Sequence, residues 1–315
     1  MKRHPVRSFA AAACLGCNLT LAAAPAPALA ADTYTQTRHP IVLVHGLFGW
    51  DSMGIADYWW GISGALRSGG ATVHITQQSA ANSSEVRGEQ LLAELRRLRA
   101  AHGYQRFNLM GHSHGGQTVR YVAAVAPELV ASVTTVGTPH QGSPVADAMK
   151  RGTDATGSGE LVASLVNGFA HLIGLLSGND GLPQNSEAAM LSLTTAGAAS
   201  FNARFPAGAP TSSCGDGPAV ANGVRYYSVG GTSVLTHLLD AGDALLGVGS
   251  LFFKGEANDG LVGRCSSRWG QVLRDNYDWN HIDQINHAFG LRGWFSADPV
   301  SFYRSQANRL KSAGL

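Results

Sequence analysis

"FNLMGHSHGG", residues 107 to 116, sets a serine between two histidines and closes on paired glycines at the end of an apolar run. Gly111-x-Ser113-x-Gly115 has the form of a nucleophile elbow, a tight strand-to-helix bend that pushes a serine hydroxyl out over a sheet edge. Side chains at the flanking positions would collide with neighbouring backbone, so glycine is required there for steric reasons. A rival reading makes the histidines the point, with His112, His114 and His140 around a metal. Residues two apart on an extended segment do face the same way. However, no carboxylate or cysteine stands beside them to complete a site, and the glycines would go unexplained.

The flanking sequence favours the elbow. "IVLV" (41 to 44) is the continuous apolar run expected of a strand buried on both faces of a parallel sheet, and "ATVHIT" (71 to 76) is a second candidate strand. Residues 84 to 102 read as a helix: serines 83 and 84 can cap its start, leucines 91, 92, 95 and 98 mark one face, and Gly103 ends it. "RFNLM" (106 to 110) is then a strand, "QTVRYVAAVA" (117 to 126) a helix stopped by Pro127, and "ASVTTVG" (131 to 137) the next strand. This alternation predicts an α/β fold with a mostly parallel central sheet and helices on both faces. Ser113 falls on the bend between a strand and a helix.

A serine needs a base, an orienting acid and a pocket for the oxyanion. In elbow folds one oxyanion amide belongs to the residue after the serine, here His114, and the other to a loop after an early strand. "VHGLFG" (44 to 49) is such a loop, and Leu47 is its candidate donor. Losing one such donor costs about 3 kcal/mol of transition-state stabilisation. The acid and then the histidine follow the serine along the chain. "NDGLVG" (258 to 263) offers Asp259 on an Asp-Gly turn, while His237, His281 and His287 all lie late enough to be the base. The residues alone do not separate His281 from His287.

Residues 1–30 read as a secretory signal peptide: Lys2, Arg3 and Arg7 lead an Ala/Leu-rich core ending in Ala28-Leu29-Ala30. Taking those three from the 23 basic residues leaves 20 against 21 acidic ones, which does not suit nucleic acid as a partner. Residues 31–315 are enough for one large domain with a full core, and they hold no apolar run of membrane-spanning length. Two cysteines, Cys214 and Cys265, remain after signal removal, and an even pair in an exported chain favours one disulfide over a metal site. Closing a loop of about fifty residues contributes on the order of 4 kcal/mol in the chain-entropy model.

Between the serine and the acid, residues 161 to 176 place Leu161, Val162, Leu165, Val166, Phe169, Leu172, Ile173 and Leu176 within an arc of about 140°. Such a helix either packs permanently on the core or opens as a lid. Glycines at 157, 159, 174, 178 and 181 suit hinges, which points to a lid insertion at about 150–200.

"TYTQTRHPIVLVHGLFG", "EVRGEQLL", "NLMGHSHGG", "RYVAAVAPEL", "GTPHQGS", "NDGLVG" and "RDNYDWNHIDQIN" together resemble the secreted true lipases of the Pseudomonas and Burkholderia type, of the α/β-hydrolase superfamily. The resemblance spans about residues 33 to 293. It implies hydrolysis of triacylglycerol and other fatty-acyl esters, with Asp259 as the acid, His281 as the base and Cys214 paired with Cys265. It also implies a structural Ca2+ bound by the carboxylates of Asp240 and Asp283 and the carbonyls of His287 and Leu291, oxygen ligands that suit a hard cation. The family usually has glutamine at position 287, a change to which a carbonyl ligand is indifferent. A lipase-specific foldase chaperone in the periplasm and secretion to the extracellular space are further implications. A short-chain esterase or acyltransferase would share the triad, and a lipid-binding protein without catalysis would keep only the surface.

Overall fold

The computed structural model describes Met1 and residues 32–47, 52–53, 56–152 and 182–315. By its contacts the chain divides into two compact units, Met1–Ala31 and Asp32–Leu315, and the fold below is that of the second. The expected signal segment, Met1 apart, and the expected lid helix at 161–176 lie outside the described residues.

In chain order the elements are β1 (Ile41–Val44), β2 (Ser52–Met53), β3 (Ala56–Asp57), α1 (Ile62–Ser68), β4 (Val73–Thr76), α2 (Ser84–His102), β5 (Phe107–His112), α3 (His114–Val125), β6 (Val130–Val136) and α4 (Pro144–Arg151). They continue with α5 (Ser186–Leu193), α6 (Thr195–Arg204), β7 (Val220–Ala221), β8 (Val224–Gly231), α7 (Ala241–Ser250), β9 (Gln271–Tyr277) and α8 (Pro299–Ser312). Among the described residues seven strands form the central sheet, in the order β4-β1-β5-β6-β8-β7 with β9 also paired to β8. Every pairing in it is parallel except β7 with β8.

Alternation along β1 shows why a run of four apolar residues belongs here. Ile41 and Leu43 pack into a core with Ile62 and Leu66 of α1 and Phe302, Tyr303 and Leu310 of α8. Val42 and Val44 pack on the opposite face with Leu91, Leu92 and Leu95 of α2 and Val119 and Val122 of α3. Both faces of the strand are buried, so neither can be polar. The sheet carries helices on both sides, as in the expected architecture.

The helix at 84 to 102 forms with those bounds: Ser83 Oγ accepts from Val86 N, and Gly103 closes it at φ 73°. One expectation needs correction. The helix expected at 117 to 126 begins at His114, directly after the serine. The two glycines among the three added positions argue against helix by propensity, but here tertiary packing decides. A Cβ on Gly115 would stand 2.3 Å from the carbonyl oxygen of Val44, and one on Gly116 would stand 1.9 Å from Thr138 Oγ1. Close approach of α3 to the sheet therefore demands the glycines that propensity would read as a loop.

Candidate active site

β5 runs two residues past the apolar segment, pairing Gly111 with Val44 and Thr135 and His112 with Val136, and so carries the chain to the sheet edge before it turns. Ser113 occupies the turn at φ 55° and ψ −127°, a conformation that non-glycine residues rarely adopt and that costs about 1–3 kcal/mol. Surrounding contacts enforce it: Ser113 N donates to Val136 O at 2.9 Å, and a Cβ on Gly111 would lie 2.3 Å from the carbonyl oxygen of Gly115. The hydroxyl stands half-buried at the start of α3.

His281 reaches it from 168 residues away. Its Nε2 lies 2.9 Å from Ser113 Oγ, and its Nδ1 lies 2.8 Å from Asp259 Oδ2. A carboxylate oxygen only accepts, so Nδ1 carries the hydrogen that points at Asp259, and Nε2 faces the Ser113 hydroxyl. His281 and Asp259 are almost fully buried, and His281 N donates to the backbone carbonyl of Asp259 at 2.9 Å, which fixes the two segments to one another. The other carboxylate oxygen, Oδ1, accepts from the amides of Leu261 and Val262 at 3.0 and 2.7 Å. The Asp-Gly turn thus orients the Asp259 carboxylate by its own backbone. His237 accepts at Nδ1 from Leu239 N, and the ring of His287 lies 6.4 Å from that of Tyr58, so of the three late histidines His281 is the one that meets Ser113.

Leu47 sits on a turn packed against Ala81 and Ala189, and the two residues before it are held from three sides. Arg87 Nη2 donates to His45 O at 2.6 Å, His45 Nδ1 donates to Gly46 O at 2.8 Å, and Gly46 N donates to the Tyr58 hydroxyl at 2.9 Å. His45 Nε2 accepts from Gln78 N, so its tautomer is set, and burial, helped by the Arg87 charge, lowers its pKa to about 3. A Cβ on Gly46 would lie 2.8 Å from Ser113 Cβ, which shows how closely this loop approaches the serine. His114, the other expected amide donor, lies at the first position of α3, and its ring is buried with Nε2 donating to Ser84 Oγ at 3.0 Å.

The three histidines of the metal reading go to separate partners. His112 contacts Tyr58 and the His281 carbonyl, His114 contacts Ser84, and His140 contacts Arg120 and Thr135. Burial pushes all three imidazoles well below their ordinary pKa.

A model of the alpha/beta hydrolase fold matches residues 39–232. The chain belongs to the α/β-hydrolase family. Among relatives of this hydrolase, a triacylglycerol lipase of Vibrio cholerae is 51% identical over 292 residues, covering 92% of this chain and 93% of its own. Triacylglycerol lipases of Pseudomonas fragi and Burkholderia plantarii are 46% and 44% identical, covering 90% and 95% of this chain and 100% and 92% of theirs. The Staphylococcus hyicus lipase structure superposes with a TM-score of 0.61 at 18% identity, over 91% of this chain and 99% of that one, a likeness of fold.

The hydrolase joins Cys214 to Cys265, with 4.6 Å between their Cα atoms. Asp240 and Asp283, the expected calcium carboxylates, are both buried. Asp240 caps α7, its Oδ1 accepting from Gly242 N at 2.8 Å, so one oxygen performs the helix-capping role such a residue would have without any metal. Asp283 Oδ2 accepts from Asn280 N at 3.0 Å. The remaining oxygens, Asp240 Oδ2 and Asp283 Oδ1, have no hydrogen-bond partner. Burial raises Asp240, and burial with the charges of Asp243 and Asp240 raises Asp283 to about 7. Orphaned, mutually repelling carboxylate oxygens fit a hard cation. Among the described residues no three His, Cys, Asp or Glu side chains gather as a metal group, so the set depends on carbonyls; that of His287 already accepts from Gly290 N at 3.3 Å.

Sequence reasoning missed Gln284, Tyr58 and Arg87. Gln284 Nε2 reaches Asp259 Oδ2 at 2.6 Å. Arg87 left a readable signal: it sits four and eight residues before Leu91 and Leu95, a charge on the apolar face of a helix. Tyr58 left none.

Proposed function

We propose that this hydrolase is a triacylglycerol lipase that cleaves long-chain acylglycerol esters through Ser113, His281 and Asp259. The observation that carries the reading is the unbroken line Ser113 Oγ, His281 Nε2, His281 Nδ1, Asp259 Oδ2, with neighbouring groups 2.9 and 2.8 Å apart. His281 Nε2 takes the hydroxyl proton as Oγ attacks the ester carbonyl carbon, and Asp259 holds the ring and balances the imidazolium that forms. The amides of Leu47 and His114 hold the oxyanion. Collapse breaks the ester C–O bond, the departing glyceride oxygen takes the proton from Nε2, and water repeats the sequence on the acyl-serine to release the fatty acid.

Relatives named triacylglycerol lipase along nearly the whole chain support the substrate class. Such substrates form their own phase. Exposed Leu235, Leu238 and Leu239, and Phe289, Trp294 and Phe295, offer apolar surface suited to an oil-water interface on the segments around Asp240 and after Asp283. Asp240 and Asp283, with the carbonyls of His287 and Leu291, would hold Ca2+, whose charge would neutralise the two carboxylates and brace the segment that follows His281. Export through the periplasm, with help from a lipase-specific foldase, is also part of the proposal and rests on the first thirty residues and the family resemblance.

The test is fatty-acid release from an emulsified long-chain triacylglycerol beside a water-soluble short-chain ester. A lipase hydrolyses the emulsion and gains rate as substrate passes its solubility limit. Turnover of the soluble ester alone would mark an esterase, and turnover of neither would remove the proposal.

A further inference from the structure

Tyr58 stands where three parts of the site meet. Its hydroxyl oxygen accepts from Gly46 N at 2.9 Å and lies 2.7 Å from His112 Nδ1. On the far side of that ring, His112 Nε2 lies 2.9 Å from the backbone carbonyl oxygen of His281. A carbonyl only accepts, so Nε2 carries the hydrogen and donates. The neutral ring therefore shows a bare Nδ1, to which the Tyr58 hydroxyl donates. One directed chain results: Gly46 N–H to Tyr58, Tyr58 O–H to His112, His112 N–H to His281. Tyr58 and both histidines are buried, and burial, with the nearby His281, keeps the His112 imidazole neutral.

The two ends of this chain are the two halves of the chemistry. Gly46 leads directly into Leu47, and a Cβ on it would meet both Ser113 Cβ and the Tyr58 hydroxyl within 2.9 Å. At the other end the rings of His112 and His281 lie 4.8 Å apart at 45°, so His112 also walls the imidazole that faces Ser113. We infer that Tyr58 and His112 are positioning residues, tying the loop that presents the Leu47 amide to the backbone of His281 so that oxyanion donor and base keep a fixed relation across Ser113. Neither touches the reacting atoms. The inference rests on the triad reading given under Proposed function. Without the Tyr58 hydroxyl, Gly46 N loses its acceptor, and His112 is free to take the tautomer that turns a lone pair toward the His281 carbonyl.

The test is kcat and KM on water-soluble p-nitrophenyl butyrate for Tyr58→Phe, His112→Leu, the double variant and His112→Gln, with thermal unfolding followed in each. Both single variants that break the chain are expected to lower kcat by about tenfold to a hundredfold with KM nearly unchanged, as small misplacements of reacting groups do. The double variant is expected to be no slower than the worse single, because both cut one chain. His112→Gln, whose amide still donates toward the His281 carbonyl, should recover part of the loss. Wild-type kcat in Tyr58→Phe, or a double-variant loss equal to the product of the singles, would overturn the inference. Should His112→Leu not fold, Tyr58→Phe alone decides: a fall in kcat of about tenfold to a hundredfold at unchanged KM supports the inference, and a wild-type kcat overturns it. A serine-directed phosphonate separates the two levels: an unlabelled wild type would sink the triad reading itself, whereas a labelled wild type with additive variants would sink only this inference.

Discussion

Gln284 Nε2 donates to Asp259 Oδ2 at 2.6 Å, sharing the oxygen that His281 Nδ1 reaches at 2.8 Å. With the Leu261 and Val262 amides on Oδ1, the buried carboxylate accepts from four donors, and Gln284 is the one whose removal leaves the turn intact. Gln284→Leu is expected to lower kcat by about tenfold with little change in KM, because the acid can rock away from the imidazole it orients. Steady-state kinetics on a soluble ester check this, and an unchanged kcat would show that the backbone amides suffice.

The elbow glycines give a second expectation. Gly115→Ala puts a Cβ against the Val44 carbonyl, a backbone atom that cannot swing away, and should cost at least about 3 kcal/mol or prevent folding. Gly64 lies in α1 with nothing within 4 Å of a Cβ, so Gly64→Ala should be neutral or stabilising by up to about 1 kcal/mol. Denaturant unfolding of the pair compares them directly. Equal effects would mean that steric closeness is not why the elbow carries glycine.

Asp275 governs an acid-dependent part of stability. Burial alone would raise its pKa, but Arg264 at 2.9 and 3.1 Å and Arg268 outweigh burial and lower it. A depressed folded pKa stabilises above the ordinary carboxylate value of 3.8 and is lost as pH falls through the folded pKa. Asp275→Asn should therefore lower stability by about 2 kcal/mol at pH 7, the scale of hydrogen bonds to a charged group, with the gap closing as pH falls through the depressed carboxylate pKa. Melting temperatures across that range decide it. A gap that persists in acid would assign the effect to packing rather than charge.

Calcium is testable without any activity assay. If the orphaned oxygens of Asp240 and Asp283 bind Ca2+, a chelator lowers the melting temperature and added Ca2+ restores it, by about 2.7 kcal/mol at a hundredfold excess over Kd. Asp283→Asn should respond to neither. A wild type indifferent to both would leave Asp240 as a helix cap and nothing more.

What could be read in advance was what is local. Strand β1, helix α2 with its Ser83 and Gly103 ends, and the bend at Ser113 are each signalled within a few residues. The sequence places the start of α3 three residues late because glycine's low helix propensity is local, whereas the Val44 and Thr138 contacts that require it come from other strands and loops. The choice of His281 over His287 came from the family resemblance alone, since nothing near either histidine says which will lie 2.9 Å from a serine so far away in sequence. Tyr58 and Gln284 stayed hidden for the same reason: their roles lie in bonds to His112 and Asp259, 54 and 25 residues away.

The proposed chemistry stands or falls on Ser113 as the nucleophile. Its most direct measure is the hydrolysis rate of Ser113→Ala on an emulsified long-chain ester, with folding verified by an unchanged unfolding transition. The expected result is a fall in kcat of about a million-fold. A folded Ser113→Ala variant that still turned over at a rate near wild type would contradict it.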